Sequence, residues 1–175
     1  MSLSVPVELQ PHDLLWAAGF AAEAERLAVI LGDDLLAIHH IGSTAIPGIV
    51  AKPTLDIVPV VRSLEGLDAK RPAVETLGYR WWGEYGLAGR RFCTLDDPET
   101  GKRRVHLHCY VLGSAAIARH LAFRDYLIAH PDLAAQYEAV KRRCFEQHRL
   151  SSHDYSMCKG DWIRRIEAEA LAALG

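Results

Sequence analysis

Apolar residues Trp16, Phe20, Leu27 and Leu31 recur at helical spacing, with Glu23, Glu25 and Arg26 between them. Such a stripe predicts an amphipathic helix that stops at Gly32. Ahead of it, residues 5–10 read as an extended segment running into Pro11. Leu35 to Ile41 reads as a strand. The loop 42–48 follows, in which Ser43 or Thr44 can cap a single helical turn. Leu55 to Val61 is rich in β-branched residues and predicts a buried strand. Residues 64–77 suit a helix that Pro72 kinks or delays. Further strands are expected over 79–84 and 90–95, and the polar turn 96–102 joins the second of them to 103–112 as a hairpin. The remainder reads as helices: one from a Ser114 cap to about Ala129, one from Pro131 with Leu133, Tyr137, Val140 and Cys144 on a single face, and a last one from Ser152 to Leu174.

A β-rich middle and a helical end, with no linker composition between them, predict one α+β domain over residues 1–175. A chain of 175 residues can bury a full core, and its half-apolar, quarter-charged composition is that of an ordinary globular protein. A net charge of −2 argues against a duplex-DNA binder, which needs a broad basic surface, but leaves room for a local basic cleft. No apolar run is long enough to span a bilayer, so no membrane is expected. Cys93, Cys109, Cys144 and Cys158 form no C-x-x-C pair, which disfavours a zinc ribbon. They read as reduced, mostly buried thiols, and with no secretory signal the expected location is the cytoplasm. The chain also lacks G-x-S-x-G, Walker-type and G-x-G-x-x-G motifs, which disfavours a serine hydrolase, a P-loop enzyme and a Rossmann dehydrogenase.

The chemistry concentrates in two stretches. In the first, a strand enters the turn Gly42-Ser43-Thr44, and about a dozen residues on Asp56 sits inside the next strand. Glycine lets backbone N–H groups approach an anion, the hydroxyls add donors, and Lys52 offers a point charge to phosphate. Strand alternation puts Asp56 on the opposite side from Leu55 and Ile57. A carboxylate in so apolar a strand needs a hydrogen-bonding, ionic or metal partner. The second stretch is 104–110, where Arg104, His106, His108 and Tyr110 share one face and Val105, Leu107 and Cys109 the other. The two imidazoles could join Asp56 around a divalent cation, act as acid and base, donate to a phosphate, or simply line a polar face. Arg90 and Arg91 open a strand after a glycine-bounded loop and suit phosphate or carboxylate. Arg124, Lys141 and Lys159 read as surface or salt-bridge residues, and one of His39 and His40 must point inward. The four tryptophans read as core or cleft walls rather than a stacking platform.

The ordered blocks HIGSTAIPGIVAKPTLDI from His40, GLAGRRF from Gly86, the H-x-H strand, HLAFRDYLIAHPDLAAQY from His120 and YSMCKGDWI from Tyr155 resemble the GrpB family. That family is related to a domain fused to some dephospho-CoA kinases, and the resemblance covers nearly the whole chain. It looks like a branch of the DNA polymerase beta-type nucleotidyltransferases, which implies a mixed β-sheet flanked by helices with a helical C-terminal part. It also implies a nucleotide or other phosphate-bearing ligand and a transferase. Gly42-Ser43 matches the first half of that superfamily's motif and Asp56 one acid of the second. The other acid is replaced, by Val58 or by Thr54 depending on register. The resemblance therefore leaves three expectations open. Nucleotidyl or phosphoryl transfer could use one divalent ion (magnesium or manganese) on Asp56 and His108. It could instead use a histidine-assisted route through Asp56, His106 and His108. The third is a catalytically inactive binding module. Gly42, Ser43, Thr44, Lys52, Arg90 and Arg91 are the expected phosphate-binding residues.

Overall fold

The structure, a computed structural model, describes residues 6–175. The extended segment expected from Val5 therefore begins outside the described residues. The elements are α1 (Leu15–Leu31), β1 (Leu35–Ile41), β2 (Leu55–Val61), α2 (Leu64–Ala69), α3 (Arg71–Thr76), β3 (Arg80–Trp81), β4 (Arg90–Asp96), β5 (Arg103–Val111), α4 (Ala115–Ala129), α5 (Pro131–Gln147) and α6 (Ser152–Leu174). Single turns of 3-10 helix cover Gly32–Asp34 and Ser43–Ala45. Together they make the mixed α/β fold with helix-flanked sheet that the resemblance implies.

Two compact units can be distinguished. The first comprises Leu14–Gly42 and Thr54–Ile117. Its five strands run in the order β1-β2-β5-β4-β3. β2 and β5 are parallel, and the other neighbouring pairs are antiparallel. One sheet face carries Ile57, Val61, Cys93, Leu95, Val105, Leu107 and Cys109, packed with Leu27 and Leu31 of α1, Leu67 of α2 and Val74 of α3. Removing that apolar surface from water is the main force holding the unit together. Within this core, Glu23 is only 4% exposed rather than on the polar side of α1 where the stripe placed it. Its carboxylate accepts from the Tyr79 hydroxyl at 2.6 Å and from Arg26 Nη1 at 2.9 Å, which is how a buried charge is tolerated. His40 lies on the same face and stacks on Phe20 at 5.0 Å, so it is the inward ring of the pair.

The strand expected over 79–84 is shorter than its pattern implies: β3 keeps two residues, and Gly83 to Gly89 form a loop. The 64–77 helix is broken, as Pro72 implies, into α2 and α3, with Pro72 in the first turn of α3 where its missing N–H costs nothing.

The second unit comprises the segment up to Asp13, Ser43–Pro53 and Ala118–Gly175. Ile46, Ile49, Phe123, Leu127, Ala134, Tyr137 and Ile166 form its main core, with Val7, Val140, Cys144 and Tyr155 in a second cluster. α5 clamps the 43–53 loop at Val50. The Val50 N–H donates to Glu138 Oε2 at 2.9 Å, and the Val50 carbonyl accepts from the Lys141 ammonium. Lys141 is 1% exposed and donates to a carbonyl, which corrects its reading as a surface or salt-bridge residue. Cys144 and Cys158 form a disulfide, which corrects their reading as thiols. α5 and α6 bring their Cα atoms to 5.8 Å, inside the span a disulfide requires. Cys93 and Cys109 are buried and free, as expected. No described helix is long and apolar enough to cross a membrane.

Candidate functional site

The second sheet face of the first unit carries the chemistry. Asp56 in β2 pairs across the parallel ladder with His106 in β5, and period-two alternation puts His108 on the same side. His106 Nδ1 is 3.1 Å and His108 Nε2 3.4 Å from the same Asp56 oxygen, Oδ1. Gly42 lies against this carboxylate: a Cβ there would fall 2.7 Å from Asp56 Oδ2. The turn glycine, the strand acid and the paired imidazoles therefore meet, one of the arrangements that the sequence left open.

Two arginines stand behind the rings. Arg103 Nη1 is 3.2 Å from His106 Nε2, and Arg90 Nη1 is 3.5 Å from His108 Nδ1. A guanidinium can only donate, so the ring nitrogens facing it accept. Each neutral imidazole then carries its proton on the nitrogen facing Asp56 and donates it to the carboxylate. Arginine, histidine and aspartate thus form two converging chains in which every donor meets an acceptor. Burial by itself pushes the Asp56 carboxyl up. Hydrogen bonds from His106 and His108, together with the charge these rings carry when protonated, outweigh it and hold the group well below the usual carboxylate range.

Arg90 is 7% exposed and locked in place. Its Nη2 donates to the carbonyl of Tyr85 at 2.8 Å and to that of Glu84 at 3.2 Å. Arg91 behaves differently. It points to the opposite sheet face, where its Nε and Nη2 hold both oxygens of Asp68 at 2.6 and 2.8 Å. The structure does not bring it to Asp56. Ser43, Thr44 and Lys52 belong to the second unit. Ser43 Oγ is 3.5 Å from the Tyr137 hydroxyl, Thr44 is buried at 3% exposure, and Lys52 Nζ donates to Ser152 Oγ at 3.0 Å.

Sequence reasoning missed Arg103. Three residues before His106, it should point to the other face. The ladder slips between Leu95 and Asp96, where Arg103 pairs with Asp96, and this frees its guanidinium from strict alternation. Phe92 was missed as well; the hairpin register sets it opposite His108. Its ring lies 5.5 Å from His106 and 5.2 Å from His108 and walls the centre on that side.

Asp56, His106 and His108 also place one ligand atom each within 4.8 Å of one another, the donor set of a two-histidine, one-carboxylate metal centre. These atoms fit a divalent cation. The groups behind them do not: a metal-bound imidazole carries its proton on the far nitrogen and donates it to an acceptor, and here both far nitrogens face guanidinium donors.

Residues 6–169 match the family model described as GrpB protein. The chain belongs to the GrpB family. A crystal structure of the conserved protein GrpB from Enterococcus faecalis superposes with a TM-score of 0.90 at 36% identity, covering 95% of this chain and 99% of that one. The UPF0157 protein YqkA of Bacillus subtilis is 42% identical over 164 residues, which span 94% of this chain and 47% of YqkA. A dephospho-CoA kinase of Mycolicibacterium paratuberculosis is 30% identical over 182 residues, spanning 91% of this chain and 44% of the kinase. This GrpB chain thus corresponds to about half the length of some of its relatives.

Proposed function

We propose that this GrpB protein binds a nucleotide or another phosphate-bearing small molecule at the Asp56 centre and transfers a nucleotidyl or phosphoryl group from it. One observation carries the reading: two imidazoles, each backed by a guanidinium, aim at a single carboxylate oxygen. Its lowered pKa keeps Asp56 ionised near neutrality, so it orients the rings rather than taking a proton. Arg90 is a fixed cation against which phosphate charge can develop. The Arg103 side chain is 35% exposed and can turn towards a phosphate oxygen. His106 Nε2 then becomes the atom able to accept a proton from an attacking hydroxyl. The hydroxyl oxygen bonds to phosphorus as the bond to the leaving phosphate breaks. This route runs through no divalent ion, because the guanidiniums behind His106 and His108 disfavour one on Asp56 and His108. With such ligands the protein works in the cytoplasm. The dephospho-CoA kinase name of one relative adds a coenzyme A precursor to the ligands worth testing.

The second reading is a binding module without turnover, favoured by the missing acid. Val58 is an apolar side chain with 0% exposure, and the Thr54 hydroxyl is committed to the Arg103 carbonyl at 3.2 Å. Calorimetric titration with nucleotides and coenzyme A precursors, with and without Mn²⁺, beside turnover of labelled nucleotides, separates the two. Transfer requires product from the native protein and its loss in Asp56→Ala with the cooperative melt retained. Binding without product supports the module, and absence of binding to every phosphate ligand refutes both.

A further inference from the structure

The loop between β3 and β4 is built rather than left loose. Tyr85 takes φ +46°, the one positive φ at a non-glycine among the described residues. A bulky side chain in that region costs about 1–2 kcal/mol. The cost is met locally: the buried Arg90 guanidinium holds the carbonyls of Glu84 and Tyr85, and the Glu84 carboxylate accepts the Gly89 N–H at 2.8 Å. The strain has a geometric result. It turns the Tyr85 ring onto Phe92, at 5.2 Å and 20° between planes, while leaving the residue 62% exposed. Trp82 leans on Tyr85 at 5.6 Å, is 39% exposed, and is fixed by its indole N–H donating to Thr94 Oγ1 at 2.9 Å.

Phe92 is the link. One neighbour of its ring is Tyr85, and the others are the two imidazoles on Asp56, at steps of 5.2 to 5.5 Å. A graded aromatic path thus leads from an exposed, rigid ring pair to the carboxylate–histidine centre. Arg90 lies along it, its guanidinium carbon 4.8 Å from the Phe92 ring centroid. Large aromatic rings held open to water beside a polar centre are poor packing, but they form a platform for another flat ring.

The geometry points to Tyr85 and Trp82 as the specificity-determining platform for the ligand of this centre, seating a planar heteroaromatic ring while the ligand's phosphates reach Arg90, His106 and His108. This inference rests on the phosphate-ligand reading above and narrows it to nucleotide-like ligands rather than sugar phosphates or polyphosphate. Tyr85 and Trp82 are positioned to choose the ligand, not to transfer a proton.

The test is calorimetric titration with ATP, GTP, CTP, UTP and inorganic tripolyphosphate, which has the phosphate chain without the ring. The native protein is expected to bind at least one nucleotide tighter than tripolyphosphate by about tenfold, the worth of one stacked base. Tyr85→Asn suits the same backbone without the ring, and Tyr85→Phe keeps the ring. The first, together with Trp82→Ala, should lower nucleotide affinity to that of tripolyphosphate and leave tripolyphosphate binding unchanged. Tyr85→Phe should bind as the native protein does. Asp56→Ala should weaken both ligands. Equal affinity of the native protein for tripolyphosphate and all four nucleotides, or a preference that survives in Tyr85→Asn, overturns the platform and leaves the phosphate reading standing. Binding of none of the five overturns both.

Discussion

Gly42→Ala tests the centre through its most constrained contact. Gly42 has φ +72°, where any Cβ costs about 1–2 kcal/mol. The new methyl would also fall 2.7 Å from Asp56 Oδ2, closer than real Cβ contacts come, and 3.2 and 3.3 Å from its Cβ and Cγ, tighter than most. The Asp56 side chain must therefore move and leave the two imidazoles. Hydrogen bonds to a charged group contribute about 1.5–3 kcal/mol each. Asp56 is 31% exposed, so water recovers a good part, and the additional loss should be about 1–3 kcal/mol. Gly101 supplies the control. It has φ +68° in the β4–β5 turn with nothing within 4 Å of an added methyl group, so Gly101→Ala bears the backbone cost alone. Urea unfolding at neutral pH should rank native, Gly101→Ala and Gly42→Ala in falling midpoint with unchanged slope. Gly42→Ala alone should also lose phosphate-ligand affinity. Equal midpoints for the two variants, with ligand binding intact in Gly42→Ala, would refute the idea that this glycine makes room for the carboxylate.

Burial and the Glu23 hydrogen bond push the Tyr79 hydroxyl far above its ordinary 10.0, so its stabilisation is intact below pH 10 and declines as pH rises beyond it, where only the unfolded chain gives up the proton. Tyr79→Phe should cost about 1 kcal/mol at neutral pH and flatten that alkaline decline in denaturation midpoints, whereas an unchanged slope would count against it. Lys141→Met removes the donor to the buried Val50 carbonyl and should cost about 1–3 kcal/mol, with faster proteolytic cleavage in the 43–53 loop as the local sign. Arg103→Ala takes a donor and a positive charge away from His106, so Mn²⁺ should bind about tenfold more tightly than to the native protein by calorimetry. Weaker binding would show that Arg103 does not oppose a cation.

Periodicity is a local property, and what depended on it alone was legible. β1, β2 and α6 fall where the apolar pattern puts them, and alternation put His106 and His108 on one face of their strand; the β2–β5 ladder then set Asp56 beside them. What failed depended on partners distant in sequence. Glu23 is polar to any reader of α1, and only Tyr79 and Arg26 make its burial tolerable. Arg90 and Arg91 are equivalent as letters. The strand sends one towards His108 and the other to Asp68, a residue whose approach no spacing announces. Lys141 looked like a surface cation because a carbonyl partner leaves no mark in sequence. Arg103 needed a slip in the ladder, which is set by how the hairpin turn closes and not by composition.

The bridge between Cys144 and Cys158 closes a stretch with a sequence separation of 14, so oxidation restricts the unfolded chain more than it alters folded contacts. Loop-closure entropy for a ring of that size is worth about 3 kcal/mol. A reducing compartment would hold the pair as a dithiol, whereas an aerated preparation would close it. Two batches of the same polypeptide, two hydrogens apart in mass, would then melt at different temperatures. Thiol titration before any melt would tell a variant's true cost from the history of its buffer.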